Sequence, residues 1–225
     1  MKKFFIFISV LTLLYSCDEE FKPLKFEKQV AYKIFPQLID SLHRDVRVPI
    51  PPPPFIRDNN ADILALDTIE SKKKWEEYEL LKKKYYKDSV KLVIAISDST
   101  YLLSKNDKKA FLKFYKKENI ELDSTKVDSR YKIILDSLNA DKKLKLKYLS
   151  EFPEGSEIWS QKNEYDFFLN GATGFSRIKF DKTYSFGVLT SNYSMGRLNG
   201  FGVRIFIKKV NGLWIIDKIE TTTIS

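Results

Sequence analysis

Cysteine and histidine are almost missing from this chain, which has one of each among 225 residues. Because a disulfide needs two thiols, the single cysteine excludes an intramolecular disulfide framework. One histidine and one cysteine also fall short of the ligand sets that hold zinc. We therefore predict no metal site, and no phosphate-binding or dinucleotide-binding motif indicates a cofactor.

Long apolar runs are missing as well, since a membrane-spanning helix needs about 20 predominantly apolar residues. The N-terminal apolar stretch from Phe4 to Tyr15 is shorter and follows Met1-Lys2-Lys3. A basic start and a short apolar core are typical of a secretory signal. Residues 1–16 are therefore predicted to be a signal peptide.

The signal ends in Leu14-Tyr15-Ser16-Cys17, which resembles the lipobox of bacterial lipoproteins. In that family, signal peptidase II cuts before the cysteine after a diacylglyceryl group has joined its sulfur. The resemblance implies lipidation (palmitate or a similar acyl group) at Cys17 and firm membrane attachment, because two or more acyl chains hold a protein stably. The alternative is a signal peptide that merely contains a cysteine and is cleaved elsewhere.

An acidic triplet, Asp18-Glu19-Glu20, directly follows the cysteine. It resembles the export signal of surface lipoproteins in the Bacteroidetes, which implies the outer face of the outer membrane. The alternative is an ordinary solvated tether, with the protein on the periplasmic face.

Charge and composition describe the rest of the chain. The formal charge is +9, and removal of residues 1–16 with Lys2 and Lys3 leaves +7. Outside the cell a nucleic-acid partner is not expected, and the lysine excess is interpreted as a solvated surface. An apolar share of 43% favours a folded chain.

The chain divides into three parts. Residues 1–16 are the signal, residues 17–60 an acidic and proline-rich tether and lead-in, and residues 61–225 one globular domain. Pro51 to Pro54 favour an extended polyproline rod. Frequent apolar residues between Phe21 and Val48 indicate that this part of the lead-in packs on the domain.

Periodicity predicts the elements of the domain. Helices are expected over Thr68–Lys87 and Ser104–Lys117, a buried strand over Leu92–Ile96, and further strands over Tyr131–Leu135 and Lys143–Tyr148. Four β runs follow, over Phe175–Phe180, Thr183–Thr190, Phe201–Val210 and Leu213–Thr222. Asn211-Gly212 predicts a two-residue hairpin turn. The expected fold is α+β: a C-terminal antiparallel β-meander packed with two or three helices, after an extended N-terminal tether.

The C-terminal third also resembles a family. Phe175-Ser176-Arg177-Ile178, Phe180-Asp181, Gly200-Phe201-Gly202, Asn211-Gly212-Leu213-Trp214-Ile215 and Ile224-Ser225 are similar to the ends of small Bacteroidetes lipoproteins of unknown activity. The resemblance covers roughly the last 50 residues and implies no functional residue.

Catalytic candidates are weak. His43 stands between Ser41 and Asp45, but in the lead-in and without a nucleophile-elbow sequence. Glu151, Glu154 and Glu157 precede Trp159 and supply ingredients of a glycan hydrolase, yet nothing fixes their separation. The chain is therefore not predicted to be an enzyme.

A glycine-rich stretch from Gly196 to Gly202 is the best candidate for a binding loop. Backbone amides around Asn199 and Gly200 can converge on an anion or partner, with Arg197 as its charge partner. The alternative is a strand connection with a bulge.

A repeated Asp-Ser or Asp-Thr motif resembles the acceptor of the general O-glycosylation system of Bacteroidetes. The implied positions are Ser41, Thr68, Ser89, Ser99, Ser124 and Ser137. The alternative is that Asp and Ser gather at helix caps and turns.

The sequence thus predicts a lipid-anchored outer-membrane lipoprotein with a binding or accessory role, whose partner is an envelope protein or a glycan. An immunity-type or inhibitor-type lipoprotein is the alternative, and a glycan hydrolase comes third.

Overall fold

A computed structural model describes residues 21–52, 64–126, 128–138, 143–160 and 162–225. Cys17, the acidic triplet and the second half of the proline run lie outside the described residues. The predictions of cleavage, lipidation and export therefore stay predictions.

Within these ranges, three α-helices and seven strands make up the fold. The helices are α1 (Pro23–Leu42), α2 (Leu64–Lys87) and α3 (Lys105–Phe114). The strands are β1 (Leu92–Ile96), β2 (Leu144–Tyr148), β3 (Phe168–Phe175), β4 (Lys179–Phe180), β5 (Phe186–Gly196), β6 (Asn199–Val210) and β7 (Leu213–Ile224). Together these elements confirm the predicted α+β class.

One mixed sheet holds all the strands, in the order β2-β1-β3-β5-β6-β7, with β4 paired to β5. Strand β1 runs parallel to both β2 and β3, whereas β3, β5, β6 and β7 pair in antiparallel fashion. Asn211 and Gly212 have φ values of 50° and 80°, the positive values that a type I′ turn requires. The predicted hairpin between β6 and β7 is confirmed.

Alternation along the strands divides the core between the two faces of the sheet. In β1, Ile94 and Ile96 pack with α1, whereas Val93 and Ala95 pack with Phe152 on the other face. On β5 and β6 the opposite face is covered by α3. The sheet therefore lies between a layer containing α1 and a layer containing α3 and the short 3₁₀ turns after β2.

The lead-in differs most from its predicted form, because residues Pro23–Leu42 form a helix instead of an extended tether. Phe35 of this helix is fully buried and stacks on Phe175, with ring centroids 4.2 Å apart. The expectation that the lead-in packs on the domain is confirmed. The described prolines Pro51 and Pro52 follow α1, so the proline run comes after a core helix in the sequence and not before the folded core.

Several local predictions are confirmed. All five residues of β1 are buried, and Ser104 caps α3 by accepting a hydrogen bond from the Asp107 amide. The predicted strand at Tyr131–Leu135 is wrong. Lys132 forms a single bridge with Ser99, and a 3₁₀ turn begins at Leu135, because this segment meets no neighbouring strand along its length.

The first two predicted β runs have different bounds. The run Phe175–Phe180 is two strands, because Arg177 turns inward between them to meet Glu27. The next strand begins at Phe186 rather than Thr183. The Asp181 carboxylate accepts hydrogen bonds from the Ser185 and Phe186 amides and so holds a turn there.

Among the described residues, no helix has both the length and the apolar character to cross a membrane.

Replacing Trp214 with Ala is expected to lower the free energy of unfolding by about 3–5 kcal/mol, because the side chain lies in the core. Trp214 is 6% exposed and its ring lies 5.3 Å from that of Phe180. The neighbouring Leu213 is 64% exposed, so Leu213→Ala is the matched control. Urea unfolding of the full chain measures both variants, and equal losses would contradict a buried final hairpin.

Candidate functional site

An open cleft of about 350 Å³ lies where α3 faces residues 123–126 and 128. Its lining is Lys108, Ser124, Thr125, Lys126, Asp128 and Lys179, and we call it the lysine cleft. Lys108 comes from the first turn of α3 and Lys179 from β4. Three segments that are distant in sequence therefore supply its side chains.

The floor of the lysine cleft is fixed by Lys179. Its Nζ donates hydrogen bonds to the backbone oxygens of Asp123 (2.6 Å) and Thr125 (3.2 Å). The Asp123 amide in turn donates to the Phe180 oxygen at 3.1 Å. Burial lowers the pKa of Lys179 and the charge of Lys108 also lowers it, whereas the carboxylates of Asp123 and Glu27 act in the opposite direction.

A buried ion pair holds the same segment from its other end. Arg177 donates from Nε to Glu27 Oε1 (2.7 Å) and from Nη2 to Oε2 (2.6 Å). Its Nη1 donates to the Ser129 backbone oxygen, and its guanidinium carbon lies 5.2 Å from the centre of the Tyr131 ring. Burial alone would lower the pKa of Arg177, but the Glu27 carboxylate outweighs it and the pKa is raised. Helix α1 and the cleft wall are therefore fastened to the same residue.

Positive charge dominates the lysine cleft. Within the part of the chain that the structure describes, neither Lys108 nor Lys126 forms an ion pair. Together with Glu27, the Asp128 carboxylate raises the pKa of the buried Arg177. Asp128 therefore interacts with Arg177 and also lines the cleft beside the lysines. Ammonium and hydroxyl groups are the donors that hold anionic oxygens. The arrangement is suited to binding an anion.

The predicted binding loop is the turn between β5 and β6. Arg197 pairs with Glu157 at 3.2 Å on the exposed surface. The Gly200 amide donates to the Ser225 oxygen, and a Cβ at Gly200 would lie 3.0 Å from the Tyr193 oxygen. The strands shift register between Ser194 and Gly196, which fits the bulge interpretation. Anion binding through Arg197, Asn199 and Gly200 stays a prediction.

His43 belongs to a polar cluster at the C-terminal end of α1. Its Nδ1 lies 2.8 Å from Nδ2 of the buried Asn170 and 3.4 Å from the Tyr193 hydroxyl. Ser41 donates back to its own helix at Gln37, and the Asp45 carboxylate binds Arg47. The Ser, His and Asp side chains are therefore engaged apart from one another.

The glutamates before Trp159 have structural contacts. Glu151 accepts hydrogen bonds from the Tyr148 amide (2.8 Å) and from Lys147 Nζ (2.5 Å). Glu157 is paired with Arg197. These bonds hold the Glu151 and Glu157 carboxylates in separate contacts around the turns that follow β2.

The glycosylation candidates lie in different surroundings. Ser89, Ser124 and Ser137 are exposed, Ser99 is half-buried at a β bridge, Ser41 is exposed in the last turn of α1, and Thr68 lies within α2. Their modification stays a prediction. Ser124 also lines the lysine cleft.

Sequence reasoning missed the lysine cleft and the Glu27–Arg177 pair. The run Asp123-Ser124-Thr125-Lys126 was the local signal, and it predicted a glycosylation site. Lys108 and Lys179 carry no local motif, because only the fold brings them to this run.

Comparison of the chain with protein-family models, with curated proteins and with solved structures finds no match. In the described ranges, no three His, Cys, Asp or Glu side chains group as metal ligands.

Glu27→Ala is expected to lower the free energy of unfolding by about 3–5 kcal/mol, because it leaves the buried Arg177 guanidinium unpaired. Glu27 and Arg177 are 3% and 6% exposed. The matched control is Glu157→Ala, which breaks an exposed pair and is expected to cost at most about 1 kcal/mol. Urea unfolding compares the two, and a small loss for Glu27→Ala would show that the pair does not hold α1 to the sheet.

Proposed function

We propose that this chain is a lipid-anchored lipoprotein of a bacterial outer membrane, attached through Cys17 and exposed at the cell surface. Its domain is a binding module that recognises an envelope protein or a glycan and does no chemistry itself. The resemblance of Leu14-Tyr15-Ser16-Cys17 to a lipobox supports the anchor. The resemblance of Asp18-Glu19-Glu20 to a surface export signal supports the location.

The observation that carries the proposal is the short connection between the anchor and the core. Phe21 is four residues after Cys17, and its ring lies 4.7 Å from that of Tyr184. An extended chain covers about 3.6 Å per residue, so the domain would sit within roughly 14 Å of the lipidated residue. Helix α1 begins at Pro23 and packs its buried face against the sheet. A domain held this closely would present one end to the membrane.

The contacts of the catalytic candidates support binding over catalysis. His43 is bonded to Asn170, and Glu151 and Glu157 hold turns and surface pairs. The lysine cleft, by contrast, is lined by three lysines and one aspartate. A charged, open recess of this kind serves recognition.

Cys17→Ala is expected to abolish acylation and membrane retention, because no other thiol in the chain can accept the lipid. Detergent partition of parent and variant measures retention. The control is Ser16→Ala, which keeps a small residue before the cysteine. Equal retention of parent and Cys17→Ala would contradict the lipoprotein proposal.

Replacing Asp18, Glu19 and Glu20 together with Ala is expected to leave acylation intact and to reduce surface exposure. The reason is that the triplet is proposed to direct export and takes no part in lipid attachment. Protease shaving of whole cells measures exposure of the protein at the cell surface, and mass spectrometry detects the attached lipid. Unchanged shaving would show that the triplet is a solvated tether.

A further inference from the structure

We propose that the lysine cleft is a binding site for a phosphate-type oxyanion, carried either by a lipid headgroup or by a soluble phosphorylated compound. The site is formed by Lys108, Lys126 and Lys179 with the hydroxyl group of Ser124, whereas the Thr125 hydroxyl donates to the Asp123 carboxylate at 3.2 Å. It is separate from the loop at Arg197.

The donors of the cleft match the acceptors of a phosphate group. An ammonium has three N–H groups, and Lys179 uses two of them on the Asp123 and Thr125 oxygens. Among the described residues Lys179 Nζ makes no third hydrogen bond, which leaves one N–H for a ligand. Lysine binds phosphate as a point charge, and a phosphate presents several strong acceptor oxygens. Three ammonium groups around one recess therefore favour a multiply charged oxyanion.

The charge balance of the cleft also favours an anion. Lys108 and Lys179 line the same recess. Burial and the charge of Lys108 lower the pKa of Lys179, against the opposing effect of the Asp123 and Glu27 carboxylates. The lining holds three lysines and Asp128, and the neighbouring Asp123 adds a second carboxylate. Three positive charges against two negative ones leave the cleft net positive, and a bound anion between the lysines would offset their repulsion.

The cleft is preformed, because two buried cations hold its wall. Lys179 binds the backbone at Asp123 and Thr125, and Arg177 binds it at Ser129. A site whose backbone is already ordered loses less conformational freedom when its ligand binds. The volume of about 350 Å³ exceeds that of a phosphate group, which leaves room for the organic part of a ligand.

The position of the cleft connects it to the N-terminal end of the domain. The ring of Tyr184 lies 4.7 Å from that of Phe21 and 5.6 Å from that of Phe180, the residue after Lys179. If Cys17 carries the lipid, the lysine cleft lies near the headgroups of the same membrane. This lipid arm rests on the proposed anchor, whereas binding of a free phosphate does not.

The test uses the full chain in phosphatidylcholine nanodiscs, with its mass checked so that Ser124 is unmodified. Inorganic phosphate is titrated in one arm, and phosphatidylglycerol replaces part of the phosphatidylcholine in the other. The amide NMR signals of Ser124 and Thr125 report binding at low salt, because screening weakens exposed charges at high salt. The cleft variant is K108E/K126E, and the matched control is K109E/K117E, which changes the net charge equally outside the lining.

We expect both cleft signals to shift with phosphate, and K108E/K126E to weaken the affinity on the order of tenfold or more. The control is expected to stay within about twofold of the parent. A further shift with phosphatidylglycerol identifies a lipid headgroup, and a shift with phosphate alone identifies a soluble compound. No shift in either arm, or equal weakening in cleft and control variants of unchanged circular dichroism, would overturn the proposal.

Discussion

A buried ion pair between Glu27 and Arg177 fixes three parts of the molecule that are distant in sequence. Helix α1 supplies the carboxylate, the link between β3 and β4 supplies the guanidinium, and residues 128–130 supply a carbonyl. Removing two charges from water is costly, and here both Glu27 oxygens are engaged and the Ile178 amide donates to one of them at 2.9 Å. The planar Arg177 guanidinium makes two hydrogen bonds to the Glu27 carboxylate, and this geometry requires one position of α1 along the sheet. The pair therefore determines where the helix lies.

The Glu27–Arg177 pair also explains one error in the prediction of the fold from the sequence, whereas local patterns explain the correct predictions. A short apolar run predicted β1, alternation predicted β6, and Asn211-Gly212 predicted the final turn, because these signals are local. Alternation also predicted one strand from Phe175 to Phe180, but Arg177 is drawn inward and divides it. In the lead-in, Val30, Ile34 and Leu38 recur at helical spacing. This segment was nevertheless predicted to be part of an extended tether.

The candidate site could not be predicted in the same way. Its lysines come from α3, from residue 126 and from β4. In the sequence, each of them is typical of a solvated surface charge. Lys179 alternates with Ile178 and Phe180 in sequence, which predicts an exposed position, yet it is only 9% exposed. It is buried because two backbone oxygens of the opposite segment take the place of water. Such a contact depends on tertiary structure and leaves no local pattern.

The positions of α1 and of the lysine cleft have a joint consequence for how the proposed anchor would work. Because α1 precedes the proline run, those prolines cannot distance the core from the membrane. If the lysine cleft binds lipid headgroups as proposed, a short link would hold it near them at an effective concentration in the millimolar range. Attachment close to the bilayer would therefore raise the occupancy of the cleft above that reached by the same domain free in solution.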